Sequence, residues 1–136
     1  MALLVAFFLL TLMRSGMSQM NNSNTNRPIG SFCGRNAPMV LSNFFNNRNF
    51  ALSEIRRQLS GNDVLYARAQ SLAEGDSVFG AAQCRNYLST AQCLACFDAA
   101  VSELTSCLTG NGAYVFFDNC FLRFSRMWNK DKWHKD

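Results

Sequence analysis

Six cysteines in a chain of 136 residues are the feature that most constrains its fold. They are Cys33, Cys84, Cys93, Cys96, Cys107 and Cys120. An even number of cysteines in a short chain is typical of a secreted domain braced by disulfides, because a small domain can build only a limited hydrophobic core. We therefore expect three disulfides.

The pair Cys93 and Cys96 also allows two other interpretations. A zinc site would need two more ligands, and although Cys84 and Cys107 are available, there is no second C-x2-C pair and the single histidine, His134, lies near the end of the chain. A thioredoxin-like redox pair would follow a strand within a βαβ unit, whereas this pair falls in the first turns of a predicted helix. Disulfides are therefore favoured, and neither a metal nor another cofactor is expected.

The N-terminus predicts an export signal. Residues 2–13 carry no charge and are apolar except for one threonine. This run is too short for a membrane-spanning helix, which needs about 20 apolar residues, and fits the core of a signal peptide. We expect a signal peptide over 1–18, cleaved after Ser18, and a disordered lead-in over 19–30. A buried N-terminal helix is the alternative. No apolar stretch of spanning length follows, so we expect a secreted, extracellular protein without a transmembrane anchor.

Two helices are expected from the residue pattern. A stripe of leucine and isoleucine followed by a stop signal predicts a helix over 41–59. Ser89 and Gln92 have the spacing of a capping box, which opens a second helix running to about Leu108. At 100° per residue, the three cysteines at 93, 96 and 107 point to one side of this helix, towards the core. If each of the three pairs with one of the other three cysteines, six of the 15 possible pairings remain.

Strands are expected on either side of the second helix. Turn signals and apolar runs predict them at 64–71, 77–84, 113–118 and 120–125. Two helices among four or five strands, without βαβ alternation, indicate an α+β fold with an antiparallel sheet.

The cysteine spacing resembles that of a known family. Cys84, Cys93 and Cys96 form C-x8-C-x2-C, similar to the signature of the ginkbilobin-like (stress-response/antifungal) domain of land plants. That domain also occurs, usually in tandem, in cysteine-rich receptor-like kinases, plasmodesmal membrane proteins and cysteine-rich secretory proteins. The flanking segments agree as well, and the resemblance covers about 31–125: Val78-Phe79-Gly80-Ala81-Ala82-Gln83, Gly112-Ala113-Tyr114-Val115 and Asp118-Asn119-Cys120-Phe121-Leu122-Arg123.

The resemblance implies the details of the fold. A member of this family would place two helices on a five-stranded antiparallel sheet, in a domain that here corresponds to 31–126. Its disulfides would join Cys33 to Cys107, Cys84 to Cys93, and Cys96 to Cys120. This pairing is one of the six that remain from the arrangement of cysteines on the second helix.

The resemblance also implies a sugar site. A single-domain antifungal member binds mannose through an Asn, an Arg and a Glu at positions that hold Gly34, Tyr114 and Ser125 in this sequence. None of the three matches, and these side chains cannot reproduce the charge-assisted bonds of the family site. A relocated site using Arg35, Asn36, Tyr114 and Arg123 is one alternative, and an ordinary surface is the other.

The segment 127–136 is expected to form a basic tail. Five Lys or Arg residues and two Asp residues fall between Arg123 and Asp136, interleaved with Trp128 and Trp133. Basic residues with tryptophan suit an anionic membrane surface. The alternative is a solvated extension.

The function expected from all these features is that of a secreted, apoplastic defence protein, antifungal or lectin-like. Its expected partners are mannose-type glycans or a fungal cell surface. No nucleic-acid motif and no catalytic motif is present, so we expect neither a nucleic-acid partner nor an enzyme. A non-toxic apoplastic binding module and a redox-signalling module are the alternatives.

Overall fold

The structure, a computed structural model, describes residues 26–73, 75–104, 106–107 and 110–126. The helices are α1 (Leu41–Leu59) and α2 (Thr90–Leu104). The strands are β1 (Pro28–Cys33), β2 (Tyr66–Ser71), β3 (Val78–Cys84), β4 (Gly112–Phe117) and β5 (Cys120–Ser125). The predicted signal peptide, the lead-in as far as residue 25, and the tail over 127–136 lie outside the described residues.

The five strands form one antiparallel sheet in the order β1-β4-β5-β3-β2. Alternate residues of each strand face the helices. In β5, for example, Leu122 and Phe124 are buried while Phe121 and Arg123 are partly exposed. The core lies between this inner face and the two helices, and its fully buried large side chains are Phe44, Ile55, Leu59, Val78, Leu104, Val115 and Leu122. The predicted α+β class, with two helices on an antiparallel sheet, is confirmed.

The sheet begins earlier than the sequence indicated. β1 starts at Pro28, whereas the lead-in was expected to reach residue 30. Just before β1, the backbone N–H of Arg27 donates to Asp118 Oδ1, and the backbone N–H of Asp118 donates to the Arg27 carbonyl, both at 3.2 Å. The order of this segment comes from pairing with β4, 80 or more residues away, so local sequence signals did not reveal it.

Helix α2 ends at Leu104, not near Leu108 as expected. Beyond it, Ser106 Oγ donates to the Glu103 carbonyl at 2.8 Å, and the Cys107 N–H donates to the Leu104 carbonyl at 3.0 Å. A serine that bonds to a nearby carbonyl competes with helix propagation. Cys107 is therefore not on the helix, although it is only 3% exposed and faces the core as predicted.

The two helices begin in different ways. At α2 the capping box is confirmed, since the Ser89 N–H donates to Gln92 Oε1 at 2.9 Å and the Gln92 N–H donates to Ser89 Oγ at 3.2 Å. At α1, Val40 provides no side-chain cap. Asp76, in the loop between β2 and β3, instead accepts hydrogen bonds from the N–H groups of Met39 at 3.0 Å and Val40 at 2.6 Å.

Three disulfides join the α2 region to three strands. Cys33 on β1 is bonded to Cys107, Cys84 on β3 to Cys93, and Cys96 to Cys120 on β5. This is the pairing that the family resemblance implies, and it leaves no free cysteine. Within the described part of the chain, no helix is both long and apolar enough to cross a bilayer, and no cluster of three or more potential metal ligands occurs.

Candidate functional site

A groove of about 610 Å³ opens beside the end of β1 and the adjoining ends of β4 and β5. We call it the Gly34 groove. Gly34, Tyr114 and Ser125, the three positions identified by the family resemblance, all line it. Its other polar side chains are Asn36, Asn111 and Arg126. Residues distant in the sequence are thus brought together at one site.

Backbone hydrogen bonds hold the walls of the Gly34 groove in place. The Gly34 N–H donates to the Gly112 carbonyl at 2.7 Å, and the Asn111 N–H donates to the Asn36 carbonyl at 2.8 Å. The Arg126 N–H donates to the Asn111 carbonyl, also at 2.8 Å. The Cys33–Cys107 disulfide fixes the same corner. The groove is therefore framed by three chain segments bound to one another.

Gly34 is required by the close approach of two of these segments. A Cβ atom at Gly34 would contact Asn111 Oδ1 and lie 3.0 Å from the Gly112 nitrogen. A Cβ at Gly110 would lie 2.5 Å from the Gly34 carbonyl oxygen. An asparagine at position 34, which the resemblance to the mannose-binding member implies for that member, therefore requires a shift of the 110–112 segment. Backbone packing as well as side-chain identity therefore distinguishes position 34 of this chain from one that carries an asparagine.

The cation of the Gly34 groove is already paired. Arg126 Nε lies 2.7 Å from Asp76 Oδ1, and the Asp76 side chain is only 1% exposed. Burial raises the pKa of Asp76, but hydrogen bonds from the Val40 and Met39 N–H groups, together with the charge of Arg126, outweigh it, and the net pKa lies below the usual value. Asp76 is therefore ionised at neutral pH and neutralises Arg126.

The chemistry offered by the groove is that of neutral polar groups. Asn36 and Asn111 carry amides, which both donate and accept hydrogen bonds, while Ser125 contributes a hydroxyl and Tyr114 a phenol ring. No carboxylate lines the groove among the residues that the structure describes. This set can bind a ligand rich in hydroxyl groups and does not favour a strongly charged one.

The relocated site considered from the sequence is only partly assembled. Asn36 and Tyr114 line the Gly34 groove, but Arg35 and Arg123 do not. Arg123 faces the other side of the sheet from the helices, opposite Tyr114 in the β4–β5 register. The sequence interpretation missed Asn111 and Arg126. The turn Gly110-Asn111-Gly112 was a usable signal for the former, whereas nothing local marked Arg126.

Comparison with known proteins identifies relatives of the chain in Arabidopsis thaliana. It is 29% identical over 122 residues to putative cysteine-rich repeat secretory protein 7, covering 89% of this chain and 40% of that protein. It is 30% identical over 87 residues to cysteine-rich repeat secretory protein 9, covering 63% of this chain and 26% of that protein. The chain thus spans less than half the length of these two relatives.

Solved structures from the same plant share the fold. The tandem DUF26 ectodomain of the cysteine-rich receptor-like protein PDLP8 matches with a TM-score of 0.61 and 25% identity, over 72% of this chain and 44% of that one. The corresponding ectodomain of PDLP5 matches with a TM-score of 0.66 and 21% identity, over 76% of this chain and 51% of that one.

The family model for salt stress response/antifungal proteins matches residues 32–127. That range contains all six cysteines and every residue that lines the Gly34 groove. With its three disulfides and its similarity to secretory proteins, the chain is a secreted, extracellular protein. It belongs to the salt stress response/antifungal family.

Proposed function

We propose that this chain is a secreted defence-type protein that binds mannose-type carbohydrate, as displayed on a fungal surface, in the Gly34 groove. The observation that carries this proposal is the gathering of Gly34, Tyr114 and Ser125 around one groove whose remaining side chains are amides and a neutralised arginine. The role is one of binding and requires no catalytic group.

The chemistry of sugars supports a neutral groove. Sugar hydroxyls donate and accept hydrogen bonds, and the amides of Asn36 and Asn111 match both capacities. The aromatic ring of Tyr114 offers an apolar surface for the C–H face of a pyranose. Neutral hydrogen bonds are about half as strong as charge-assisted ones, so we expect weaker binding than in a site built from Asn, Arg and Glu.

Calorimetric titration of the secreted, oxidised protein with mannose and mannan oligosaccharides tests the proposal. Asn36→Ala should weaken binding by about fivefold or more, since a net hydrogen bond contributes roughly 1 kcal/mol. Asn62→Ala, in an exposed loop outside the groove, is the matched control and should bind like the wild type. Absence of binding by the wild-type protein would overturn the proposal.

The defence role needs its own assay. Folded, oxidised protein should inhibit fungal growth in a concentration-dependent way, and Asn36→Ala should lose that inhibition in parallel with sugar binding. If Asn36→Ala loses sugar binding but still inhibits fungal growth, the toxicity does not depend on the Gly34 groove. Contact between the tail and anionic membranes stays a prediction from the sequence.

A redox-signalling module is the second candidate, because one disulfide is accessible. Cys33 is exposed on β1, whereas the other five cysteines are at most 7% exposed. Cys33 also lines the Gly34 groove, so reduction of Cys33–Cys107 would loosen that wall. Alkylation and mass spectrometry after treatment with glutathione test this. If all three disulfides stay intact in the folded protein, the redox role is excluded.

A further inference from the structure

The face of the sheet that points away from the helices is aromatic. An antiparallel sheet with one covered face normally presents polar side chains to water on the other. Here Phe32 is 62% exposed, Phe116 41% and Tyr114 37%, and Phe121 lies beside them. Large exposed apolar patches of this kind mark interaction sites.

These four residues form one continuous patch, which we call the outer patch. Phe32 on β1 is opposite Tyr114 on β4, and Phe116 on β4 is opposite Phe121 on β5. The rings of Phe116 and Phe121 lie 4.9 Å apart between centroids. The outer patch therefore spans three neighbouring strands, β1, β4 and β5.

We propose that the outer patch docks against the outer patch of a second copy of this chain, forming a two-fold symmetric pair of facing sheets. Two sheets pack face to face about 10 Å apart through such inward-facing side chains. The inference does not rest on the sugar-binding role, but Phe32 and Tyr114 belong to the outer patch and also line the Gly34 groove, so dimerisation should compete with sugar binding.

The exposed area fits a weak dimer. If an aromatic side chain buries 150–250 Å² in full, the three exposed rings of the outer patch leave on the order of 300 Å² of apolar surface per copy. Their neighbours on three strands add polar and aliphatic surface around the rings. The rings alone contribute about 600 Å² over the two copies, which is below the roughly 1,200 Å² of stable specific interfaces, so the dimer should be weak and depend on concentration.

The solved relatives support the choice of occupant. They carry domains of this kind in tandem within one chain, and this chain corresponds to about half of each. A second copy of this chain has the same fold as the domains that occur in tandem in these relatives.

The charges determine how the two copies overlap. The outward positions include Arg123 on β5 and Arg68 on β2, and no acidic residue among the described strands. Stacking β5 on β5 would oppose two copies of Arg123. A two-fold axis parallel to the strands and above β4 instead places β5 of one copy over β1 of the other. Arg123 then lies over Phe32 of the second copy, in a cation–π contact, and Arg68 lies outside the overlap.

Sedimentation equilibrium of the secreted protein tests this arrangement. The wild type should be dimeric at about 100 μM and dissociate on dilution to about 1 μM, as expected for micromolar affinity. Phe32→Asp and Phe116→Asp should each raise the dissociation constant at least about tenfold. Phe50→Asp is the control, because Phe50 is 61% exposed but lies on α1, and it should dimerise normally. Circular dichroism establishes that each variant is folded.

Arg123→Ala tests the placement of the axis and should weaken the dimer. Stronger dimerisation of this variant would overturn the β4-centred arrangement, because it would indicate that two Arg123 side chains repel each other.

A wild-type monomer at about 100 μM would overturn the proposal as a whole. So would a monomer that binds an anionic polysaccharide and loses that binding in Phe116→Asp, because Phe116 lies in the outer patch and outside the Gly34 groove, and the outer patch would then be a glycan surface.

Discussion

Asp76 holds the N-terminus of α1 and the end of β5 with a single carboxylate. It accepts the N–H groups of Met39 and Val40 and pairs with Arg126 at 2.7 Å. Because Arg126 lines the Gly34 groove, the electrostatics of the groove depend on a loop between β2 and β3 that does not touch it. A substitution that removes the charge of Asp76 should therefore affect both the start of α1 and the electrostatics of the groove.

The first prediction concerns the charge of Asp76. Asp76→Asn should lower the midpoint of thermal unfolding at pH 7, because it removes the ionic partner of Arg126 and weakens the cap of α1. Asparagine tolerates the positive φ of 41° at this position, so the substitution tests charge and not backbone strain. Asp63→Asn, at an exposed residue that also has positive φ, is the control and should leave the midpoint unchanged.

The pH dependence of this effect has a definite sign. The folded pKa of Asp76 lies below its usual value, so its contribution to stability is present above the unfolded pKa, about 3.9, and is lost as the pH falls through the folded pKa. The difference in unfolding midpoint between wild type and Asp76→Asn should therefore narrow below about pH 4. A difference that widens on acidification would contradict this assignment.

The second prediction concerns the close approach of the two glycine segments. Gly34→Ala should lower the free energy of unfolding in urea by about 1–3 kcal/mol, the usual cost of overpacking. Gly30→Ala is the control, since its Cβ would meet only Phe32 Cε2 at 3.6 Å, an ordinary contact. Equal unfolding free energies of the two variants would show that the 110–112 segment can shift to accommodate a Cβ atom at position 34 without a measurable cost.

The third prediction concerns a buried amide. Asn47 Nδ2 donates to the carbonyls of Ala73 at 2.7 Å and Gly75 at 2.9 Å, and Asn47 Oδ1 accepts from Ser71 Oγ at 2.6 Å. Asn47→Leu leaves these groups without partners and should cost about 3 kcal/mol of unfolding free energy. Asn46→Leu, one residue away and exposed, should change stability by less than about 0.5 kcal/mol.

The fourth prediction concerns the replaced sugar-site residues. Tyr114→Arg combined with Ser125→Glu introduces two of the three side chains that the resemblance implies for the mannose-binding member, and leaves Gly34 unchanged. Because charge-assisted bonds are about twice as strong as neutral ones, this double variant should bind mannose more tightly than the wild type in calorimetric titration. Tyr114→Lys with Ser125→Gln carries similar bulk but lacks the planar guanidinium and the carboxylate, and should gain less. Unchanged affinity in both variants would show that the groove walls no longer present these positions to a sugar.

The sequence revealed the fold wherever the signals were local. The bounds of α1 follow from its apolar stripe and from Ser60-Gly61, and the start of α2 from the capping box formed by Ser89 and Gln92. Two predicted boundaries were wrong, namely the end of the disordered lead-in at residue 30 and the end of α2 near Leu108. The former was wrong because β1 depends on pairing with a distant strand, and the latter because of a side-chain hydrogen bond from Ser106.

The site was predictable only in part. The positions of Gly34, Tyr114 and Ser125 came from the family resemblance, and the structure places them around one groove. The sequence could not show that Arg126 is neutralised by Asp76, because the two residues are 50 positions apart and meet only in the folded chain. For the same reason Asn47, on a helix rich in polar residues, gave no sign that it is buried.

The central claim is that the Gly34 groove binds a mannose-type sugar. Nuclear magnetic resonance titration of the uniformly labelled, oxidised protein with a mannose oligosaccharide tests it most directly, because each backbone amide reports its own surroundings. The largest shifts should fall on 34–36, 111–112 and 125–126. Saturating shifts confined to other surfaces, or no shift at all at millimolar sugar, would contradict the claim.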